Sequence, residues 1–222
     1  MYQLVIFDWD GTLMDSAAKI SNCMRAAAKQ VGLDVPTIDQ AKNVIGLGLM
    51  EAIAMLFPTA NNSQIKALFE AYRYQFIEAN DTEQHLFDGV EEGLQQLDQT
   101  GVLIAVATGK ARAGLDRVLK STNLDRCFTI TRCADETRSK PHPQMLHEIL
   151  DFTAIEASKA VMVGDTSFDL DMARNADIDG LGVAYGVHSS EVLERSGALD
   201  IKHDFDAVIA WLLDNRVQKA FA

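Results

Sequence analysis

The chain has 222 residues, 48% of them hydrophobic, enough for one large domain, or one domain with a sizeable insert, around a proper core. A formal net charge of −12 without a Lys/Arg cluster argues against nucleic-acid and anionic-membrane partners, and reserves the few cations for an anionic ligand. No apolar run approaches the roughly 20 residues of a membrane span, the N-terminus carries no basic-then-apolar signal, and Cys23, Cys127 and Cys133 lack metal-ligand spacing, so a cytoplasmic protein without disulfides or zinc is expected.

Leu4 to Phe7 reads as a strand buried on both faces, and it ends in Asp8-Trp9-Asp10-Gly11-Thr12. In extended backbone the side chains of residues i and i+2 share one side, so Asp8 and Asp10 face one small volume. Two carboxylates held together call for a hard divalent cation with oxygen ligands, for which Mg2+ is the candidate. The same residues also suit a solvated Asp-Gly turn.

Ser16 is placed to cap a helix running to about Val31, with Gly32 as its stop. Thr37-Ile38-Asp39-Gln40 has the form of a capping box opening a second helix, Gly46-Leu47-Gly48 breaks it, and a third runs from Met50 to Phe57 before Pro58. Ser63 is expected to cap a long helix from Gln64 to about Ala79, whose Ile65, Leu68, Phe69, Tyr72 and Phe76 recur at helical spacing. With no strand pattern between Ser16 and Asp81, residues 16–80 are expected to form a helical cap inserted into a core of residues 1–15 and 81–222.

From Leu86 onward short apolar runs alternate with helices, the pattern of a parallel α/β sheet. Strands are predicted at Val102–Ala107, Phe128–Ile130, Ala160–Val163 and Gly180–Ala184. Helices are predicted at Val90–Leu97, Ala111–Ser121, Gln144–Phe152, after Thr166, at Ser190–Ser196 and at Phe205–Leu213. Asp8, Thr108 and Asp165 each end a strand and Lys140 opens a helix, so a parallel sheet brings them to one edge. Taken singly, Thr108 and Asp165 suit helix caps and Lys140 a solvated loop charge; jointly they make a site.

Asp8-Trp9-Asp10-Gly11-Thr12-Leu13-Met14-Asp15-Ser16 resembles the first motif of the haloacid dehalogenase-like hydrolases, in the branch containing phosphoglycolate phosphatases. Three further stretches resemble that family's other motifs in order: Val102 to Lys110, Ser139-Lys140-Pro141-His142-Pro143, and Val161 to Asp169. The resemblance spans nearly the whole chain and implies a Rossmann-like α/β core with a helical cap after the first strand. It implies Asp8 as the nucleophile that forms an aspartyl-phosphate, and Asp10 as the general acid and base. Thr108, with neighbouring backbone N–H groups such as that of Gly109, and Lys140 would bind the phosphoryl oxygens. Mg2+ would sit on Asp8, Asp165 and the backbone carbonyl of Asp10, with Asp169 supporting the metal or Lys140.

Asp10 argues against dehalogenase and phosphonate-hydrolase chemistry, where the family carries an aromatic or a small residue. Thr12 and Gly46-Leu47-Gly48-Leu49 depart from the pattern of sugar phosphomutases such as β-phosphoglucomutase, which makes that the second enzymatic reading. A phospho-accepting signalling receiver is a third, set back by the long helical insert. The small side chains of Gly46 and Gly48 would let backbone N–H groups approach a short carboxylate such as that of phosphoglycolate; they also suit a plain helix–helix turn. The expected partner is a small phosphorylated metabolite, with no nucleic acid and no membrane, and the expected assembly is a monomer or homodimer. Asp15 and Asp171 are read as caps or surface charges, and His142, His147 and His188 carry no assigned role.

Overall fold

In a computed structural model describing residues 1–214 and 216–220, the chain runs β1 (Leu4–Phe7), β2 (Met14–Asp15), α1 (Ala17–Gln30), α2 (Ile38–Lys42), α3 (Leu49–Leu56), α4 (Asn62–Tyr74) and β3 (His85–Leu86). It continues α5 (Val90–Thr100), β4 (Leu103–Thr108), α6 (Arg112–Thr122), β5 (Ile130–Cys133), α7 (Gln144–Thr153), β6 (Ala160–Gly164) and α8 (Ser167–Asn175). The last elements are β7 (Asp179–Val183), α9 (Ser190–Arg195), β8 (Asp200–Lys202) and α10 (Phe205–Leu213). No helix among the described residues is long and apolar enough to cross a membrane.

Six strands form one parallel sheet in the order β5-β4-β1-β6-β7-β8. β1 sits at its centre because Leu4, Val5, Ile6 and Phe7 are all fully buried, which only a strand covered on both faces allows. Val5 and Phe7 pack with Val161 and Val163 against Leu94 of α5 and Val208 of α10. Leu4 and Ile6 turn the other way, onto Met145 and Ile149 of α7 and Met172 of α8. The chain leaves β1 towards β4 and β5, then returns to β6 on the opposite side, so the order reverses between β1 and β6. Crevices at the carboxyl end of such a reversal are where open α/β sheets bind ligands. Asp8 follows β1 and Asp165 follows β6, one on each side of that point.

Helices α1 to α4 lie between β2 and β3 and bury their own apolar cluster, with Met24, Ala27, Ile53, Phe57 and Leu68 at its centre. The Thr37–Gln40 capping box is formed in both directions. Several boundaries differ from the sequence expectation. Asn61, not Ser63, caps α4: its side chain accepts from the Gln64 amide while the Gln64 side chain accepts from the Asn61 amide, a closed pair that Ser63 cannot make. The helix also changes pitch after Tyr74 into a π-helical turn, Gln75–Ala79. Ser16 makes no capping bond, because its hydroxyl is turned inward to Asp10. β5 starts at Ile130 rather than Phe128, since its ladder with β4 begins where Ala105 meets Ile130. Three short strands carried no readable pattern: β8 at the sheet edge, and the β2–β3 antiparallel pair that brackets the helical block.

Candidate active site

The carboxyl ends of β1, β4 and β6 bring Asp8, Asp10, Thr108 and Asp165 together, and the loop before α7 adds Lys140; all five are buried. Lys140 Nζ lies 2.7 Å from Asp8 Oδ1 and 2.6 Å from Asp169 Oδ1, within a site that leaves it 2% exposed. Burial alone would lower the pKa of this ammonium, but Asp169 and Asp8 outweigh it and hold Lys140 charged above the ordinary lysine range. Asp169 is fixed in turn by Thr166, whose amide and hydroxyl both donate to Asp169 Oδ2, at 3.1 and 2.7 Å. This pair, rather than Asp165, caps α8. Asp169 thereby orients the lysine.

Asp165 accepts from the Thr12 hydroxyl at 3.0 Å and from the Val187 amide at 2.9 Å. Gly11 adopts a φ of +91°, and a Cβ there would run into the Asp165 carboxylate, so both conformation and space require glycine. Carboxylate oxygens of Asp8, Asp165 and Asp169 all lie within 4.8 Å of one another. Burial pushes the carboxyl pKa of Asp8 and of Asp165 upward; Asp169 raises both further, and Lys140 opposes the rise at Asp8. Three buried carboxylates face one ammonium, and Asp8 Oδ2 has no hydrogen-bond partner among the described residues. A buried carboxylate oxygen so placed is short of a cation, and the all-oxygen donor set suits Mg2+. The residues present fit that ion.

Asp10 stands apart from this cluster. Its Oδ1 accepts from Ser16 Oγ at 2.7 Å, and Lys110 Nζ bridges both its oxygens at 2.9 and 2.8 Å. With both its carboxylate oxygens engaged in this way, Asp10 has only its backbone carbonyl to offer a metal. Lys110 escaped the sequence reading although it directly follows Gly109; the available signal was a lysine two residues past a strand-ending threonine. Its ammonium also sits 5.1 Å from the Phe76 ring centroid, a contact from the sheet edge to the helical block. Thr108 Oγ1 accepts from the Lys110 amide at 3.1 Å, which leaves its own proton available to an incoming oxyanion.

Gly109 packs directly under the Gly46–Leu47 backbone, whose carbonyl oxygens a Cβ would strike. The Gly48 amide donates to Ser139 Oγ at 2.8 Å and the Leu47 amide to the Val44 carbonyl at 3.3 Å. Gly46 and Gly48 thus join the helical block to the sheet edge, and the Leu47 and Gly48 amides are engaged rather than open to a carboxylate. Among residues without an assigned role, His188 Nδ1 accepts from the Ser167 amide, and its burial lowers its pKa, keeping it neutral. His142 lies 3.1 Å from an Arg138 guanidinium nitrogen, His147 is exposed, Asp171 pairs with Arg174, and Asp15 is exposed on β2.

The family model for haloacid dehalogenase-like hydrolases matches residues 5–183, from β1 through β7. The chain belongs to that family. A protein of Dickeya dadantii named "Probable phosphatase IndB" is 30% identical over 213 residues, covering 94% of this chain and 93% of its own length. A phosphoglycolate phosphatase of Agrobacterium fabrum is 28% identical over 224 residues, covering 99% and 96%. The crystal structure of a hydrolase from Pseudomonas syringae superposes with a TM-score of 0.87 at 22% identity, covering 96% of this chain and 98% of that one, which shows the shared fold.

Proposed function

We propose that this hydrolase is a cytoplasmic, Mg2+-dependent phosphatase of small phosphate monoesters that works through an aspartyl-phosphate on Asp8. The observation that carries the reading is the state of Asp8: a buried carboxylate with one oxygen paired to Lys140 and the other without a hydrogen-bond partner among the described residues. Asp8 attacks phosphorus, and the bond from phosphorus to the substrate alcohol breaks as the Asp8–phosphorus bond forms. Asp10, reached by Ser16 and Lys110, gives the leaving oxygen its proton; it then recovers a proton from the water that attacks the aspartyl-phosphate, which releases inorganic phosphate, frees the Asp8 carboxylate and readies Asp10 as the acid for the next turnover. The Thr108 hydroxyl and the Lys140 ammonium meet the negative charge on the transferring oxygens. Asp8, Asp165 and the Asp10 carbonyl would hold Mg2+, which when bound neutralises the substrate dianion and lets one carboxylate approach it.

The helical block roofs the site and acts as the cap that excludes water from the phosphoenzyme. The names of several relatives make phosphoglycolate the first substrate to test. Release of phosphate from a panel of two- and three-carbon phosphorylated acids, sugars and nucleotides is expected with Mg2+, with inhibition by Ca2+, which prefers longer bonds and more ligands. Undiminished release in chelator, or with Ca2+ alone, would overturn the metal-dependent reading.

A further inference from the structure

A cavity of about 510 Å³ opens from Asp8 and Asp10 into the helical block, well inside the roughly 300–1,000 Å³ that encloses a drug-sized ligand. A phosphoryl group esterified to a two-carbon acid would leave most of that volume unused. On the side of the helical block the cavity is lined by Met24, Val44, Ile45, Phe69, Tyr72 and Phe76, with Phe76 5.1 Å from the Lys110 ammonium. Every one of these side chains is apolar except at the Tyr72 hydroxyl. Burial keeps that phenol neutral, well above its ordinary pKa, so it offers the cavity one uncharged polar atom.

A carboxylate at the far end would need a cation or several free donors. The buried cations are committed: Lys110 spans both oxygens of Asp10, and Lys140 lies between Asp8 and Asp169. Arg73 and Arg117 line the cavity only from exposed positions, and Arg73 rests 5.8 Å from the Phe69 ring centroid. Glu51 and Asp135, on the same exposed rim, repel an anion. The Gly48 amide is held by Ser139. Aromatic walls without a free buried cation favour an uncharged ring over an acid.

We infer that the alcohol part of the substrate is an uncharged apolar ring, seated among Phe69, Tyr72 and Phe76, while its phosphoryl group lies at Asp8. The inference rests on the phosphatase reading and narrows its substrate class. It separates this chain from enzymes whose leaving group carries a carboxylate.

Benzyl phosphate, phosphoglycolate and 2-hydroxyethyl phosphate are all primary alkyl monoesters, so initial rates with Mg2+ compare the organic groups at similar chemistry. The expected kcat/KM for benzyl phosphate exceeds both others by about tenfold or more, the scale at which apolar pockets discriminate. Equal or better use of phosphoglycolate would overturn the inference and leave the phosphatase reading standing. Hydrolysis of none of the three would count against the phosphatase reading, so occupancy is measured without turnover: calorimetric titration with benzylphosphonate and with phosphonoacetate in Mg2+. Benzylphosphonate is expected to bind about tenfold tighter; equal or weaker binding would overturn the inference whatever the turnover. Phe69→Ala, checked for native melting, is expected to shrink this preference, and an unchanged ratio would remove the aromatic wall from the argument.

Discussion

The floor and the roof of the same cavity are built in opposite ways. The floor, at the strand ends, buries four carboxylates and two ammonium groups, Asp8, Asp10, Asp165, Asp169, Lys110 and Lys140, and ties them by contacts of 2.6 to 3.0 Å. The roof, from α1 to the turn after α4, presents apolar side chains with few polar atoms. A charge removed from the floor leaves its partner buried and unpaired, a cost of a different order from trimming a roof residue that only loses contact area. On the proposed function, the difference would separate reaction from selection: the floor would act on phosphorus, and the roof would choose which alcohol is brought there.

Substitutions can break that contrast, beginning with the largest effect. Asp8→Asn keeps shape but removes the oxygen proposed to attack phosphorus, and turnover is expected to fall by more than about 10⁴-fold with an unchanged circular dichroism spectrum. Near-normal turnover in a folded variant would contradict the assignment. Lys140→Met leaves Asp8 and Asp169 facing each other uncompensated, and denaturant titration is expected to show a loss of about 3–5 kcal/mol. Adding Asp8→Asn to that variant should restore part of the loss; no recovery would mean that the lysine does not serve to balance charge.

Lys110→Met strips Asp10 of its ammonium and leaves Ser16 as its remaining partner. The expected fall in kcat/KM is about 10- to 100-fold, part of the roughly 10²–10⁴-fold that general acid–base help supplies, with partial rescue by Lys110→Arg. An unaffected rate would make this contact merely structural. Ser139→Ala is the mildest change: it removes one hydrogen bond between floor and roof, at Gly48, and should cost about 0.5–1.5 kcal/mol, visible as a small drop in melting temperature. A loss as large as that of Lys140→Met would show that floor and roof are not separable.

The floor was far more legible in the sequence than the roof. A four-residue apolar run that stops at an aspartate is a local signal, and β1, β4 and β6 with Asp8, Thr108 and Asp165 at their ends lie where that signal put them. Lys110 was hidden because its partner, Asp10, is 100 residues away, and no local pattern encodes such a pairing. Ser16 was misread for a related reason: serine before a helix suits a cap, but a buried carboxylate six residues earlier offers its hydroxyl a charged acceptor. The roof's helices were readable from spacing and from the Thr37 capping box, whereas the enclosed space was not. Phe69, Tyr72 and Phe76 give the same stripe whether they fill a core or line a cavity. Short strands such as β2 and β3, two residues each, carry too few positions for an alternating pattern to register.

The most direct measurement of the central claim is to trap the phosphoenzyme. Enzyme mixed with Mg2+ and a hydrolysed monoester is quenched in acid within the first turnover and digested, and its peptides are read by mass spectrometry. The expected result is one phosphoryl group on the peptide carrying Asp8, appearing and decaying in step with turnover and absent from Asp8→Asn. A phosphoryl group on another residue, or full turnover with none on Asp8, would contradict the account.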